Sequence, residues 1–164
     1  MILHTATFTT PCGPFSVAVN PDGAVVATAF GDPATLRSRL PEKCHLIGDT
    51  ASLVRPIQNQ VDAYFAGERR EFAVTLAADG TVFQRRVWAA LSAIPHGQTR
   101  SYGQLAADLG KPGAARAVGR ANATNPICLF VPCHRVIGAD GSLTGFAFGE
   151  DIKRRLLVHE GALS

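Results

Sequence analysis

The chain has 164 residues and a mass of 17.3 kDa, with 46% apolar and 18% charged residues. That is enough apolar material to pack a core in one domain or two small ones and excludes a disordered chain; no apolar run approaches the roughly 20 residues of a membrane-spanning helix, and no signal peptide is expected from the first residues. The net charge is +3, yet residues 1–80 hold 6 basic against 8 acidic side chains, residues 81–164 hold 10 against 5, and the window 82–135 reaches +6, a block that attracts a polyanion.

In chain order, Thr7–Thr10, Phe15–Val19 and Ala24–Phe30 read as strands. Turns at Pro11-Cys12-Gly13-Pro14 and Asn20-Pro21-Asp22-Gly23 join them. Ile57, Val61, Tyr64 and Phe65 recur at helical spacing; Pro56 fits the first turn of that helix and Gly67 stops it. Glu71–Leu76 reads as a further strand. This half shows no chemical constellation and is expected to support the other. The four cysteines, Cys12, Cys44, Cys128 and Cys133, form neither a CxxC pair nor a disulfide framework, so a reducing, cytoplasmic setting is expected.

Ala77-Ala78-Asp79-Gly80 marks a boundary between residues 1–78 and 79–164. Thr81 and Gln84 have capping-box spacing ahead of a helix with Phe83, Val87, Trp88, Leu91 and Ile94 on one face. Pro95-His96-Gly97 ends it. Ser101 and Gln104 repeat the box and open a helix with Leu105, Ala106 and Leu109 inward. Gly110-Lys111-Pro112-Gly113 is a tight break before a third helix, Ala114–Ala123. Two short helices joined by a four-residue turn containing glycine have the helix-turn-helix pattern. The second is almost wholly Ala, Gly and Val with two arginines. Its smooth face lets a backbone approach a duplex closely, and Arg116 and Arg120, four apart, share one side. The alternative is an Ala-rich core helix with two solvated arginines.

Pro126–Val131 is an apolar run consistent with a buried strand. It delivers Pro132-Cys133-His134-Arg135. Thiolate is the reactive form of cysteine, and a nearby histidine or cation favours it. Neighbours on an extended chain point to opposite sides, so His134 needs a bridging water or a bend to reach the sulfur. The alternative is a buried, inert thiol.

Val131-Pro132-Cys133-His134-Arg135-Val136-Ile137 resembles the active-site motif of the methylated-DNA–protein-cysteine methyltransferases, the O6-alkylguanine-DNA alkyltransferases. Phe83-Gln84, Val87-Trp88, Ile94-Pro95-His96-Gly97, Ser101-Tyr102-Gly103, Ala114–Gly119, Asn125-Pro126, Leu143-Thr144-Gly145 and His159-Glu160-Gly161 follow in that family's order. The likeness is dense over residues 81–161 and loose before them, mainly through Tyr64-Phe65-Ala66-Gly67.

The resemblance implies an α+β fold, with a small ribonuclease-H-like N-terminal α/β domain, residues 1–78, and a winged helix-turn-helix-like C-terminal domain, residues 79–164. It implies repair of O6-alkylated guanine, and of O4-alkylated thymine, in double-stranded DNA. The alkyl group passes irreversibly to Cys133, once per molecule and without a cofactor, in a monomer with no obligate protein partner and no membrane association.

By the same resemblance, Arg116 enters the base stack in place of the flipped nucleotide. Tyr102 crowds the flipped phosphate and donates a proton to the guanine ring. Glu160 and His134, through water, take the thiol proton, and Asn125 shapes the turn that holds the active-site loop. Gly103, Gln84, Lys111, Ala115, Gly119, Arg120, Arg135 and Ala139 join Arg116 and Tyr102 as expected DNA contacts. Val136, Phe146, Ala147, Phe148 and Lys153 are expected at the substrate pocket.

The sequence departs from the family pattern at three of these positions. Phe146 stands where tyrosine is usual, Phe148 where a small residue is usual, and Ala139 where some relatives carry a polar DNA contact. The family's zinc-binding members draw ligands from the N-terminal half. Cys12, Cys44, His4 and His45 are available here, but the adjacent Cys44-His45 pair lacks standard ligand spacing, and no metal is expected. Three rival readings remain. One is a non-enzymatic binder of alkylated DNA with the same fold. Another is a multiple-turnover hydrolase or acyl transferase using Cys133, His134 and Glu160. The third, a sequence-reading transcription factor, needs polar base-reading side chains that are scarce on Ala114–Ala123.

Overall fold

The computed structural model describes residues 1–49 and 52–164 and divides into two units, Met1–Ala78 and Asp79–Ser164. In the first unit β1 (Ile2–Thr10), β2 (Gly13–Val19) and β3 (Val25–Phe30) form an antiparallel meander, with Phe8 opposite Phe15 and Phe15 opposite Phe30. Asn20 sets the second turn, its Oδ1 accepting from the Asp22 and Ala24 N–H groups at 3.0 Å each. The first strand starts at Ile2, five residues before the expected Thr7, and the third at Val25.

Two elements of this unit escape the sequence reading. Helix α1 (Pro33–Ser38) is capped by Asp32, whose carboxylate accepts from the Thr35 N–H at 2.9 Å, with Pro33 opening the helix. An N-cap Asp followed by Pro is a legible start signal. Strand β4 (His45–Gly48) runs parallel to β1, Ile2 beside His45 and Thr5 beside Gly48, and completes the sheet order β3-β2-β1-β4. Helix α2 (Arg55–Phe65) buries Ile57, Val61 and Tyr64, with Pro56 in its first turn.

Glu71–Leu76 is not a strand: within it only Leu76 forms a bridge, to Val25. The Gln60 side chain takes both backbone groups of Ala73, accepting from its N–H at 2.8 Å and donating to its carbonyl at 3.0 Å. A carboxamide thus stands where a neighbouring strand would pair.

The second unit contains α3 (Val82–Ser92), β5 (Arg100–Ser101), α4 (Tyr102–Asp108), α5 (Ala115–Ala123), a 3₁₀ turn at Cys133–Arg135, β6 (Val136–Ile137) and α6 (Glu150–His159). Both capping boxes form, Thr81 with Gln84 and Ser101 with Gln104. Trp88 Nε1 donates to the Ala121 carbonyl at 2.9 Å and ties α3 to α5. β5 and β6 pair in parallel, Arg100 beside Val136. This pairing sets the start of α4, at Tyr102, beside the chain that leaves the cysteine turn. Among the described residues no helix is long and apolar enough to cross a membrane.

Residues 126–131 are mostly buried, as an apolar run should be, but they form a tight turn and not a strand. Leu129 has a φ of 72°, and the Val131 N–H donates to the Ile127 carbonyl at 3.0 Å. Asn125 is the cause. Its Oδ1 accepts from the Ile127 N–H at 3.0 Å and its Nδ2 donates to the Val131 carbonyl at 2.9 Å. A bulky residue at positive φ is strained, and two hydrogen bonds from one buried side chain hold it there.

Candidate active site

Cys133 heads the 3₁₀ turn and is only 5% exposed. The next side chain, His134, is fully buried, with Nε2 2.9 Å from Glu160 Oε2. Burial keeps the imidazole neutral by lowering its pKa, although Glu160 pulls the other way. Burial alone would raise the Glu160 pKa, but hydrogen bonds from His134 and Arg135 outweigh it and hold the carboxyl well below the usual range. A neutral ring facing a carboxylate carries its proton on Nε2. His134 Nδ1 then keeps a lone pair, and it has no hydrogen-bond partner among the described residues.

Arg135, expected on the DNA surface, is turned inward. Its Nε and Nη2 donate to the two Glu160 oxygens at 2.9 and 3.0 Å, and Nη1 donates to the Ile94 carbonyl at 2.7 Å. The physical reason is Glu160 itself. A carboxylate in the core is tolerated only when paired and hydrogen-bonded, and the guanidinium fork supplies the pairing. Arg100 is likewise paired, with Asp108. The +6 window therefore presents less free positive charge than its composition suggests.

Lys153 is fully buried beneath this turn and donates from Nζ to the Val136 carbonyl at 2.5 Å and, more weakly, to the Thr144 carbonyl at 3.4 Å. Burial pushes its pKa down to about 8, partly offset by attraction to Cys133 and Glu150. The same attraction favours negative charge on the Cys133 sulfur.

Tyr102, Arg116, Gly119, Arg120, Ala123, Thr144 and Gly145 line an open cleft of about 410 Å³. Tyr102 Oη donates to the Thr144 carbonyl at 3.1 Å. Its pKa is raised by burial and by the Cys133 charge, with Asn122 pulling the other way. Gly145 is required here: its φ is 89°, and an added Cβ would lie 2.5 Å from the Tyr102 hydroxyl. Arg116 and Arg120 are exposed on α5, as are Gly103 and Lys111 nearby, while Ala115 is half-buried. Lys111 Nζ sits 5.3 Å from the centre of the Phe83 ring. Ala139 is exposed just after β6.

Gln84 is already occupied. It closes the α3 capping box, and its Nε2 donates to Thr124 Oγ1 at 3.2 Å. Val136 is buried; Phe146 is buried and Phe148 half-buried, their rings edge to face at 5.6 Å, with Ala147 exposed between them. Among the described residues no group of three or more His, Cys, Asp or Glu side chains could hold a metal ion.

The structure thus joins Cys133, His134, Glu160, Arg135 and Lys153 in one buried cluster, and Tyr102, Arg116, Gly119 and Arg120 in one cleft. Sequence reasoning gave Thr144 and Gly145 no role and missed Asn122. Asn122 is 2% exposed on α5, and neither atom of its carboxamide has a hydrogen-bond partner among the described residues. An unpaired buried amide costs about 1–3 kcal/mol. The signal was available: one amide in a helix otherwise built from small residues and arginine.

A family model described as "6-O-methylguanine DNA methyltransferase, DNA binding domain" matches residues 82–162. A methylated-DNA–protein-cysteine methyltransferase of Methanosarcina acetivorans is 44% identical over 160 residues, covering 98% of this chain and 99% of the relative. The chain belongs to this methyltransferase family. The Mycobacterium tuberculosis relative of the same name is 47% identical, over 97% of this chain and 93% of its own. The crystal structure of Mycobacterium tuberculosis OGT in complex with DNA matches with a TM-score of 0.83 at 43% identity, over 97% of this chain and 93% of that one. Membership places the mixed α and β architecture of both units among solved methyltransferases.

Proposed function

We propose that Cys133 takes an alkyl group from O6 of a guanine turned out of duplex DNA, once per molecule. One observation carries the assignment to Cys133. The residue after it is a neutral buried imidazole, oriented by a carboxylate through Nε2 and left with a lone pair at Nδ1. In this reading the thiol proton passes through one water to His134 Nδ1, and the imidazolium is stabilised by Glu160. The sulfur attacks the alkyl carbon in line, the S–C bond forms, and the C–O6 bond breaks with its electron pair leaving on guanine. Tyr102 gives its hydroxyl proton to the departing ring. A thioether is a poor leaving group, so Cys133 is not regenerated. The rivals predict other outcomes: a hydrolase turns over many times, and a lesion binder transfers nothing.

The test is intact-mass measurement after mixing with a duplex oligonucleotide carrying one O6-methylguanine. One equivalent should add a single methyl mass, mapped to the Cys133 peptide. Continued turnover, or no added mass, would overturn the assignment.

The finer fold reading belongs with this function. The first unit acts as a ribonuclease-H-like support, and α4 and α5 act as the helix-turn-helix pair of a winged domain. The small residues of α5 let it press into a groove, and Arg116 fills the gap left by the flipped base, offsetting part of an unstacking cost of a few kcal/mol. Arg120, one turn on, meets phosphate. Arg116→Ala should therefore slow transfer from duplex DNA at least about tenfold more than transfer from a free O6-alkylguanine base. Arg120→Ala should affect both less. Equal losses on duplex and free base for Arg116→Ala would remove the intercalating role.

A further inference from the structure

We infer that Asn122 is a positioning residue for the proton that Tyr102 donates, its carboxamide hydrogen-bonding Tyr102 Oη once that hydroxyl turns from the Thr144 carbonyl toward the base. This deepens the function proposed above and rests on it. Four observations on α5 and the cleft support it. Asn122 is buried to 2% exposure, yet neither Nδ2 nor Oδ1 has a hydrogen-bond partner among the described residues. Buried amides are nearly always satisfied, so an orphan at a reaction site calls for a role. Asn122 lies one turn beyond Gly119, and a Cβ at Gly119 would touch the Tyr102 ring at 3.8 Å; residues three apart share a helix face, so that face of α5 carries the amide toward the tyrosine.

Second, the amide already bears on the Tyr102 oxygen, favouring its ionised form, in a geometry too poor for a hydrogen bond. Third, the Tyr102 proton is committed at rest to the Thr144 carbonyl at 3.1 Å. Fourth, Gly145, where a Cβ would lie 2.5 Å from Oη, leaves no side chain on that flank to take the amide's place.

The chemistry follows from charge. As Tyr102 passes its proton to a guanine ring nitrogen, negative charge grows on Oη. Burial and the nearby Cys133 sulfur both oppose that charge. A carboxamide N–H turned onto Oη stabilises it where it develops, and an amide kept unpaired at rest needs no bond broken to do so. Asn122 touches neither the substrate nor the sulfur in this scheme and acts through Tyr102.

The test is a double-mutant cycle in single-turnover methyl transfer from the O6-methylguanine duplex, with DNA affinity measured separately. Asn122→Leu, which keeps the branching of the side chain and removes its donors, should slow the transfer step about 10- to 100-fold, the weight of a hydrogen bond to a charged group. DNA affinity should hold, and Tm should stay level or rise, because an unpaired amide has been removed. In a Tyr102→Phe background the same substitution should change the transfer rate less than about twofold. Asn122→Asp, isosteric with an acceptor in place of the donor, should be slow in the Tyr102 background as well.

An equal loss in both backgrounds, a loss confined to DNA affinity, or full activity of Asn122→Leu would overturn the inference. Should Asn122→Leu fold poorly, Asn122→Asp takes its place in the cycle, where a loss that vanishes in Tyr102→Phe supports the inference and an equal loss in both backgrounds overturns it. Absence of transfer by the unmodified protein would instead refute the proposed function, so the two failures are distinguishable.

Discussion

Cys133→Ser is expected to lower methyl transfer by at least about 10³-fold while leaving affinity for the methylated duplex unchanged. The sulfur is the group whose anion forms near neutral pH and whose polarizable lone pair displaces guanine; a serine hydroxyl in the same place holds its proton far more tightly. Two neighbours assist formation of the anion. Lys153 sits nearby as a buried cation, and His134 presents a lone pair. Neither group meets DNA in this arrangement, so binding should survive the substitution. The other three cysteines provide the control. Cys12 and Cys44 lie in the first unit, and Cys128 is fully buried in the turn that Asn125 holds. Methyl found on any of them, or transfer persisting in Cys133→Ser, would show that the nucleophile lies elsewhere.

The legible parts of this fold were those with local rules. Ser101 and Gln104 announce α4 because a capping box is closed within four residues, and both of its hydrogen bonds form. The α3 face was readable because Val87, Trp88 and Leu91 repeat at helical spacing and are buried. Residues 126–131 were readable as buried but not as bent. An apolar run has no periodicity to separate strand from turn, and the deciding contacts come from the Asn125 side chain. β4 was lost for a related reason. It has four residues, and its pairing with β1 lies more than forty residues away in sequence. Arg135 was misplaced because charge in a basic window reads as solvent-facing. Its partner, Glu160, is 25 residues further on, and no local pattern announces such a pair. Asn122 stands out in the sequence as the one amide of α5, but whether that amide is satisfied is set by residues outside the helix.

That inward turn of Arg135 leads to the other large effect. Arg135→Leu is expected to destabilise the protein by about 3–5 kcal/mol, because it strands the Glu160 carboxylate in the core. DNA affinity, measured at a temperature where the variant is folded, should keep its salt dependence. Lys111→Ala, by contrast, removes an exposed cation and should lower the slope of log affinity against log salt by about 1.

Acid should expose the same cluster. The Glu160 carboxyl is held below its ordinary 4.5 when folded. The stability it contributes is therefore complete above pH 4.5 and is lost as pH falls toward the folded value. His134 acts in the same direction. Burial depresses it from 6.5, so below that pH the unfolded chain takes up a proton that the folded chain resists. Tm of the unmodified protein should fall steadily from pH 6.5 to pH 4 and beyond. Glu160→Gln should start lower at neutral pH, with Arg135 now lacking its anion, and should lose the part of the decline below pH 4.5. Should Arg135→Leu instead melt like the unmodified protein and bind DNA with a shallower salt slope, the guanidinium faces phosphate and the buried cluster does not hold the site.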